Sequence, residues 1–277
     1  MPLSDVPLTV VTANVNGIRA AARRGGLAWL AAARADALLL QEVRATHAQL
    51  HEALAGTPLA GWHVAHSPAA SLGRAGVAVL TRAEPTAVRE GLGSDEFDAQ
   101  GRWLEVDLED AASGRVTLAS VYVHTGEAET ERQDEKHRFL DAMGERLAVL
   151  GRRAARRRGE AIVGGDLNIA HRQADIKNWR GNRGKAGYLP SEQAYLDDWL
   201  GPRRWTDLGR AHAGEVDGPY TWWSWRGQAF DTDTGWRIDY LLATPGLAAR
   251  LTEVAVGRAP SYAERWSDHA PVTARFR

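Results

Sequence analysis

The chain has 277 residues, 44% of them hydrophobic, and its 34 basic and 35 acidic side chains leave a net charge of −1. That length supports one large domain or two small ones around a sizeable core, and a balanced charge selects no partner by itself while leaving room for opposed patches. The absence of cysteine excludes disulfides, thiolate–zinc sites and cysteine nucleophiles, and fits a reducing compartment.

The first stretch, Met1 to Asn14, is too short and polar for a signal peptide, and no apolar run approaches ~18 residues, so a soluble cytoplasmic protein without membrane contact is expected. Leu8 to Asn14 reads as a strand, followed by a helix over about Arg23–Arg34 and a strand over Ala37–Glu42. Thr46 is placed to cap a helix running to Leu54. Short alternating segments predict strands at Trp62–His66, Gly76–Thr81, Trp103–Leu108 and Val116–Val123. A long helix is expected from Glu129 to Arg157, then a buried strand over 161–165. Residues 170–190 read as a polar, Gly-rich loop, and Ser191 opens a short helix with Glu192 and Gln193 in its first turn. Ile238–Ala243, Leu251–Val256 and Pro271–Phe276 are the last strands. Mixed β and α segments with hairpin-length gaps predict packed sheets covered by helices in one domain. A coarse duplication is visible: strand–Asn-Val-Asn-Gly near 11–17 is echoed by strand–Gly-Gly-Asp-Leu-Asn near 161–168.

The chemistry lies at strand ends. Asn14 and Asn16, Glu42, Tyr122, Asp166 and Asn168, Asp239, and then Asp268 with His269 each follow or end an apolar β-like run. One such residue is ordinarily a turn or cap residue. A whole set at the ends of strands in an α/β chain marks a site. Carboxylates and amides with one histidine form a hard-oxygen set that suits Mg²⁺ or Mn²⁺ rather than Zn²⁺. Asp239 offers a carboxylate that could orient the His269 imidazole, although spacing alone does not establish the pair.

Thr12-Ala13-Asn14-Val15-Asn16-Gly17-Ile18-Arg19, Leu40-Gln41-Glu42, Gly76 to Leu80, Gly164 to Asn168, Gly235 to Tyr240 and Ser267 to Pro271 occur in an order that resembles the exonuclease III family of AP endonucleases. That family lies within the endonuclease/exonuclease/phosphatase superfamily. The resemblance spans about residues 8–277. Leu-Gln-Glu, Gly-Asp-Leu-Asn and Ser-Asp-His specify only the superfamily, whereas Gly-Trp-Arg-Ile-Asp-Tyr, Asp175-Ile176-Lys177-Asn178 and Asn-Val-Asn-Gly-Ile-Arg point to the branch. The fold implied is α/β, with two packed mixed β-sheets flanked by helices in a four-layer, DNase I-like sandwich over residues 1–277.

By that resemblance Glu42 is the principal metal carboxylate, Asp268 holds or adjoins the metal, and Asn14, with Asn16 beside it, binds phosphate or water at the metal. Asp166 orients and deprotonates the attacking water with help from Asn168. His269, paired with Asp239, contacts the scissile phosphate. Tyr122 binds the phosphate from another side or eases departure of the leaving oxygen. Phosphodiester hydrolysis needs these parts: an in-line nucleophile, a Lewis acid and donors to the non-bridging oxygens. Trp222, Trp236 and Ile238 would wall a small pocket for a flipped-out abasic deoxyribose. Two positions depart from the family pattern. His124-Thr125-Gly126 replaces the usual Pro-Asn-Gly or Pro-Asn-Ala, so the Thr125 hydroxyl would stand in for an amide donor, and Lys185 occupies a position where Asn is common.

Lys177, Arg180, Arg183 and Lys185, with Asn178 and Asn182 among them and no acid between Ile176 and Lys185, suit contact with a phosphate backbone. Arg152, Arg153, Arg156, Arg157 and Arg158 form a denser run, but they end a helix, where cations complement the macrodipole. His47 and His51 lack a third nearby ligand and read as surface histidines rather than a zinc site. The expected activity is that of a Mg²⁺-dependent DNA repair nuclease, a monomer that cuts duplex DNA 5′ to abasic sites and trims 3′ ends. The rivals are a phosphoesterase of the same fold acting on a small or lipid phosphoester, disfavoured by the cationic loop, and a non-catalytic DNA-binding module, disfavoured by the intact set of acids and histidine.

Overall fold

The computed structural model describes residues 8–71, 73–109, 114–156 and 158–277. Its strands are β1 (Thr9–Asn14), β2 (Ala37–Gln41), β3 (His63–Ser67), β4 (Val77–Thr81), β5 (Ala87–Glu90), β6 (Trp103–Leu108), β7 (Val116–Tyr122), β8 (Glu160–Asp166), β9 (Thr206–Asp207), β10 (Asp239–Ala243), β11 (Leu251–Val256) and β12 (Val272–Phe276). The helices are α1 (Ile18–Arg23), α2 (Gly26–Ala32), α3 (His47–Leu54), α4 (Glu131–Ala155), α5 (Pro190–Trp199), α6 (Leu208–Ala213) and α7 (Pro245–Ala248). Among the described residues the strands form two six-stranded sheets, ordered β3-β4-β2-β1-β12-β11 and β5-β6-β7-β8-β10-β9. In each, the third and fourth strands are parallel and every other neighbouring pair is antiparallel. The duplication legible around Asn14 and Asp166 therefore extends to the pairing plan, with β1 and β8 in equivalent places.

Strand periodicity explains the layers. Alternate side chains point to opposite faces. Val10, Leu39, Val79, Leu118, Ile162 and Leu241 share the core between the sheets. Their neighbours Val11, Leu38, Leu40 and Leu80 pack outward with Ile18, Leu30 and Leu50. On the other side Val121, Val163 and Leu242 pack outward with Phe139, Leu140, Met143 and Leu147 of α4. Both faces of the central strands are buried, as near-continuous apolar runs require. Each such side chain contributes roughly 1.5–3 kcal/mol relative to exposure.

Several boundaries differ from the sequence reading. The helix expected over Arg23–Arg34 is α2, Gly26–Ala32, and it is preceded by α1, which was not anticipated; Gly25, left-handed at φ 85°, separates the two. Helix α5 starts at Pro190, whose fixed φ suits the first turn. The Thr46 cap is present, with its hydroxyl accepting from Gln49 N and Gln49 Oε1 accepting from Thr46 N. β5, β9, α6 and α7 were not anticipated. Arg157, the expected end of the long helix, and residues 1–7 lie outside the described residues. No described helix is long and apolar enough to cross a membrane.

Candidate active site

The inner-face parity of the strands carries polar groups to one end of the sandwich. Counting by twos from Val10, Leu39, Leu118, Ile162 and Leu241, the inner face reaches Asn14, Gln41, Tyr122, Asp166 and Asp239. Below them the sheets are joined by hydrogen bonds: Gln41 Nε2 donates to Ser120 Oγ at 2.9 Å, and Ser120 Oγ to Leu40 O at 2.9 Å. Asn14 Nδ2 then donates to Glu42 Oε1 at 2.8 Å and, across to the second sheet, to Asp166 Oδ2 at 3.0 Å.

The two equivalent strands end alike. Asn16 N donates to Asn14 Oδ1 at 3.0 Å, and Asn168 N donates to Asp166 Oδ1 at 2.9 Å. Asn16, Glu42 and Asn168 are all left-handed, at φ 46°, 50° and 51°. Non-glycine residues held in that conformation gather where function sets the backbone. Asp239 pairs with Asp166 across the β8–β10 ladder. His269 Nδ1 lies 2.9 Å from Asp239 Oδ2, and its Nε2 lies 3.7 Å from Asp166 Oδ2. Ser267 orients this corner, accepting from His269 N at 3.2 Å and donating to Asn14 O at 2.7 Å.

Among the described residues, Glu42, Asp166 and His269 are buried and offer ligand atoms within 4.8 Å of one another. The Glu42 and Asp166 carboxylates, beside the amides of Asn14 and Asn16, make an oxygen-rich set that fits a hard divalent cation. Asp268, read as a metal neighbour, accepts from Asn16 Nδ2 at 2.7 Å and Trp222 Nε1 at 3.1 Å.

Burial, with the charges of Asp239 and Glu42, pushes the Asp166 carboxyl up to about 7, against the lowering pull of His269. Burial works against a charge on His269, but Asp239 and then Asp166 raise it to about 10. The surrounding carboxylates thus favour the charged imidazole, while burial favours the protonated form of the Asp166 carboxyl. Burial and the Glu42 and Asp166 charges push the Tyr122 phenol above its ordinary range, so it stays a donor. Burial opposes ionisation of Asp268, yet His269 and the Trp222 and Asn16 hydrogen bonds hold it below the usual carboxylate range.

The expected DNA-facing residues flank this end. The 176–187 segment returns to the site, with Lys177 N bonded to Gly235 O and Ala170 N to Gly187 O. Lys177, Asn178, Arg180, Arg183 and Lys185 are exposed, and Asn182 is half-buried. The guanidinium groups of Arg180 and Arg183 lie 4.3 and 4.5 Å from the Trp179 ring centroid. Trp222 and Trp236 meet edge to face at 6.1 Å, with Trp222 6.5 Å from the His269 ring, and Ile238 is buried below them. Thr125 is exposed on the loop after β7. By contrast, Arg153 of the helix-end run lies 3.7 Å from the buried Asp107. A cavity of about 670 Å³ between α4 and α5 reaches Glu160, at the opposite end of β8 from Asp166.

Some participants escaped sequence reasoning. Arg44 forms an ion pair with Glu42. Arg102 stacks over the Tyr122 ring at 5.0 Å and donates to Tyr122 O at 3.2 Å. Thr221 Oγ1 accepts from the backbone N–H groups of Ile238 and Asp239 at 3.1 Å each. None follows an apolar run, so strand-end reasoning passes over them.

A sequence profile of the Endonuclease/Exonuclease/phosphatase family matches residues 11–269. The exodeoxyribonuclease of Bacillus subtilis is 30% identical over 266 residues, covering 96% of this chain and 98% of that protein. The DNA repair nuclease APEX1 of Danio rerio is 30% identical over 271 residues, covering 96% and 81%. A Neisseria 3′ phosphatase solved with a product DNA hairpin superposes with a TM-score of 0.80 at 30% identity, over 98% of this chain and 99% of that one. The chain belongs to the endonuclease/exonuclease/phosphatase family and is a nuclease of its exonuclease III branch.

Proposed function

We propose that this nuclease repairs DNA by hydrolysing the phosphodiester 5′ to an abasic site and by trimming 3′ ends of duplex DNA, acting as a monomer. The carrying observation is the bridge from Asn14 Nδ2 to both Glu42 and Asp166, which draws polar ends of both sheets onto one point. Asp166, held by both hydrogen-bond donors of Asn168, takes the proton of the attacking water. His269, kept protonated by Asp239, donates from Nε2 to a non-bridging phosphate oxygen. Tyr122 donates from the far side. Glu42 and the amides of Asn14 and Asn16, with Asp268 holding or adjoining that edge through Asn16, would hold Mg²⁺ or Mn²⁺. The bound cation would supply Lewis-acid polarisation of the phosphate. The Trp222–Trp236 corner would receive a sugar without its base, and the 177–185 cations the flanking phosphates.

The test is a substrate panel: duplex with one abasic analogue, intact duplex with a recessed 3′ end, and a soluble inositol polyphosphate, each with Mg²⁺ and with EDTA. Cleavage of both DNAs in Mg²⁺ alone is expected. Turnover confined to the small phosphoester would overturn the reading.

A further inference from the structure

Lys136 lies in the second turn of α4, and neither its side chain nor that of Glu192 is exposed. Its ammonium has three protons, and each has a partner: Glu192 Oε1 at 2.6 Å, Asn168 O at 2.8 Å and Thr125 O at 3.2 Å. Two of these are carbonyls of the loops that leave the catalytic ends of β8 and β7. Glu192 is equally occupied. Its Oε1 also accepts from Gln133 Nε2 at 3.0 Å, and its Oε2 accepts from Leu189 N at 3.0 Å, where the cationic segment ends. One buried ion pair therefore ties the Asp166–Asn168 turn, the loop after Tyr122 and the close of the DNA-facing segment to α4 and α5.

A buried pair of this kind is a poor source of stability, because apolar residues of the same volume often serve as well or better. What it does supply is geometry. Asn168 is left-handed, and both hydrogen bonds it gives Asp166 depend on the orientation of its backbone. Its side chain also reaches Val123 O at 2.9 Å, so the two loops are registered against each other. The Lys136 bond to Asn168 O fixes the peptide plane on the other side of that residue. Space around the tie is tight: a Cβ on Gly126 would come within 2.6 Å of Gln133 Oε1 and 2.9 Å of Lys136 Cδ.

We propose that Lys136, braced by Glu192, is a positioning residue for phosphodiester cleavage, acting through Asn168 to hold Asp166 in its attacking geometry. This rests on the reading of Asp166 as the base. Misplacement by about 1 Å can lower a rate by ~10²-fold, which sets the scale of the effect.

The experiment compares Lys136→Met with Glu192→Gln, made together, in wild-type and Asn168→Ala backgrounds. The pair of changes removes both charges and keeps an acceptor for Leu189 N. Single-turnover cleavage of an abasic duplex, Kd for that duplex and thermal unfolding are read for each protein. The expected result is a folded variant with Kd within about threefold of wild type and a rate lowered about 10-fold or more. In the Asn168→Ala background the same changes should lower the rate less than about twofold, since residues acting as a unit are not additive. An unchanged rate, or an equal loss in both backgrounds, would overturn the proposal and leave the pair a packing feature. If the double variant does not fold, Lys136→Arg, which keeps the charge but moves the donors, is read in the same two backgrounds by the same criterion. Absence of cleavage by the wild-type protein would count against the functional reading, separately from these ratios.

Discussion

His269 gains its proton from its surroundings. Asp239 is the main raising influence and Asp166 the next, both acting against burial, and together they lift the imidazole to about 10. A histidine raised in the folded state stabilises the fold fully below its unfolded value near 6.5, and that contribution fades as pH climbs through the folded value. In metal-free protein, Asp239→Asn should therefore lower the melting temperature most below about pH 6.5, with the gap closing towards pH 10. Its single-turnover rate should fall most at neutral and alkaline pH, where the imidazole would then be neutral. An NMR titration of His269 beside the pH–rate profile checks both. A uniform loss at every pH with an unmoved titration would make Asp239 purely structural. At this scale the sequence revealed residues whose position is encoded locally. Asn14 and Asp166 end apolar strands and Asp239 opens one, and parity turns all three inward, whereas Glu42, one residue past β2, is off that parity and takes a left-handed backbone. Arg44, Arg102 and Lys136 were not legible in this way, because Arg44 meets Glu42 from outside the apolar run, and the partners of Arg102 and Lys136 named above lie 20 and 11 to 56 residues away and are brought close by packing rather than by a pattern.

Elements place these residues through close approach. A Cβ on Gly164 of β8 would meet Leu39 Cδ1 at 2.6 Å, Leu241 Cδ2 at 2.7 Å and Thr12 Cβ at 3.3 Å. The glycine therefore sets how near β8 comes to the first sheet, two residues below Asp166. Gly164→Val should destabilise the protein by roughly 1–3 kcal/mol in urea unfolding, the usual range for overpacking. It should also slow cleavage by spreading the Asn14–Asp166 contact, and wild-type stability in the variant would show that the sheets yield freely. The role proposed for the cationic segment rests on its charge. Arg180→Glu with Arg183→Glu should raise Kd for duplex and reduce the slope of log K against log salt by roughly 0.9 for each phosphate that is no longer neutralised. An unchanged slope would make the segment a bystander. Element boundaries were legible where runs are long and apolar, as in β1, β2, β7 and β8. The edge strand β5 alternates half-buried and exposed residues over Ala87–Glu90 and leaves no apolar run. The break between α1 and α2 depends on one left-handed glycine in an otherwise helical composition.

For the whole molecule, the two sheets repeat one plan, and their equivalent central strands deliver Asn14 and Asp166 to a shared point. Strand ends and motif order made the layered α/β architecture readable, but the pairing of the twelve strands among the described residues is set by contacts distant in sequence, such as Asn14 with Asp166 152 residues later. Asp166→Asn tests that junction most directly, because the change removes the carboxylate proposed as the base and keeps the shape. Single-turnover cleavage of an abasic duplex in Mg²⁺ should fall at least ~10²-fold, the lower scale for loss of a general base. Duplex Kd should remain within a few-fold of wild type. Turnover within a few-fold of wild type would contradict the account, since another group would then be activating the water.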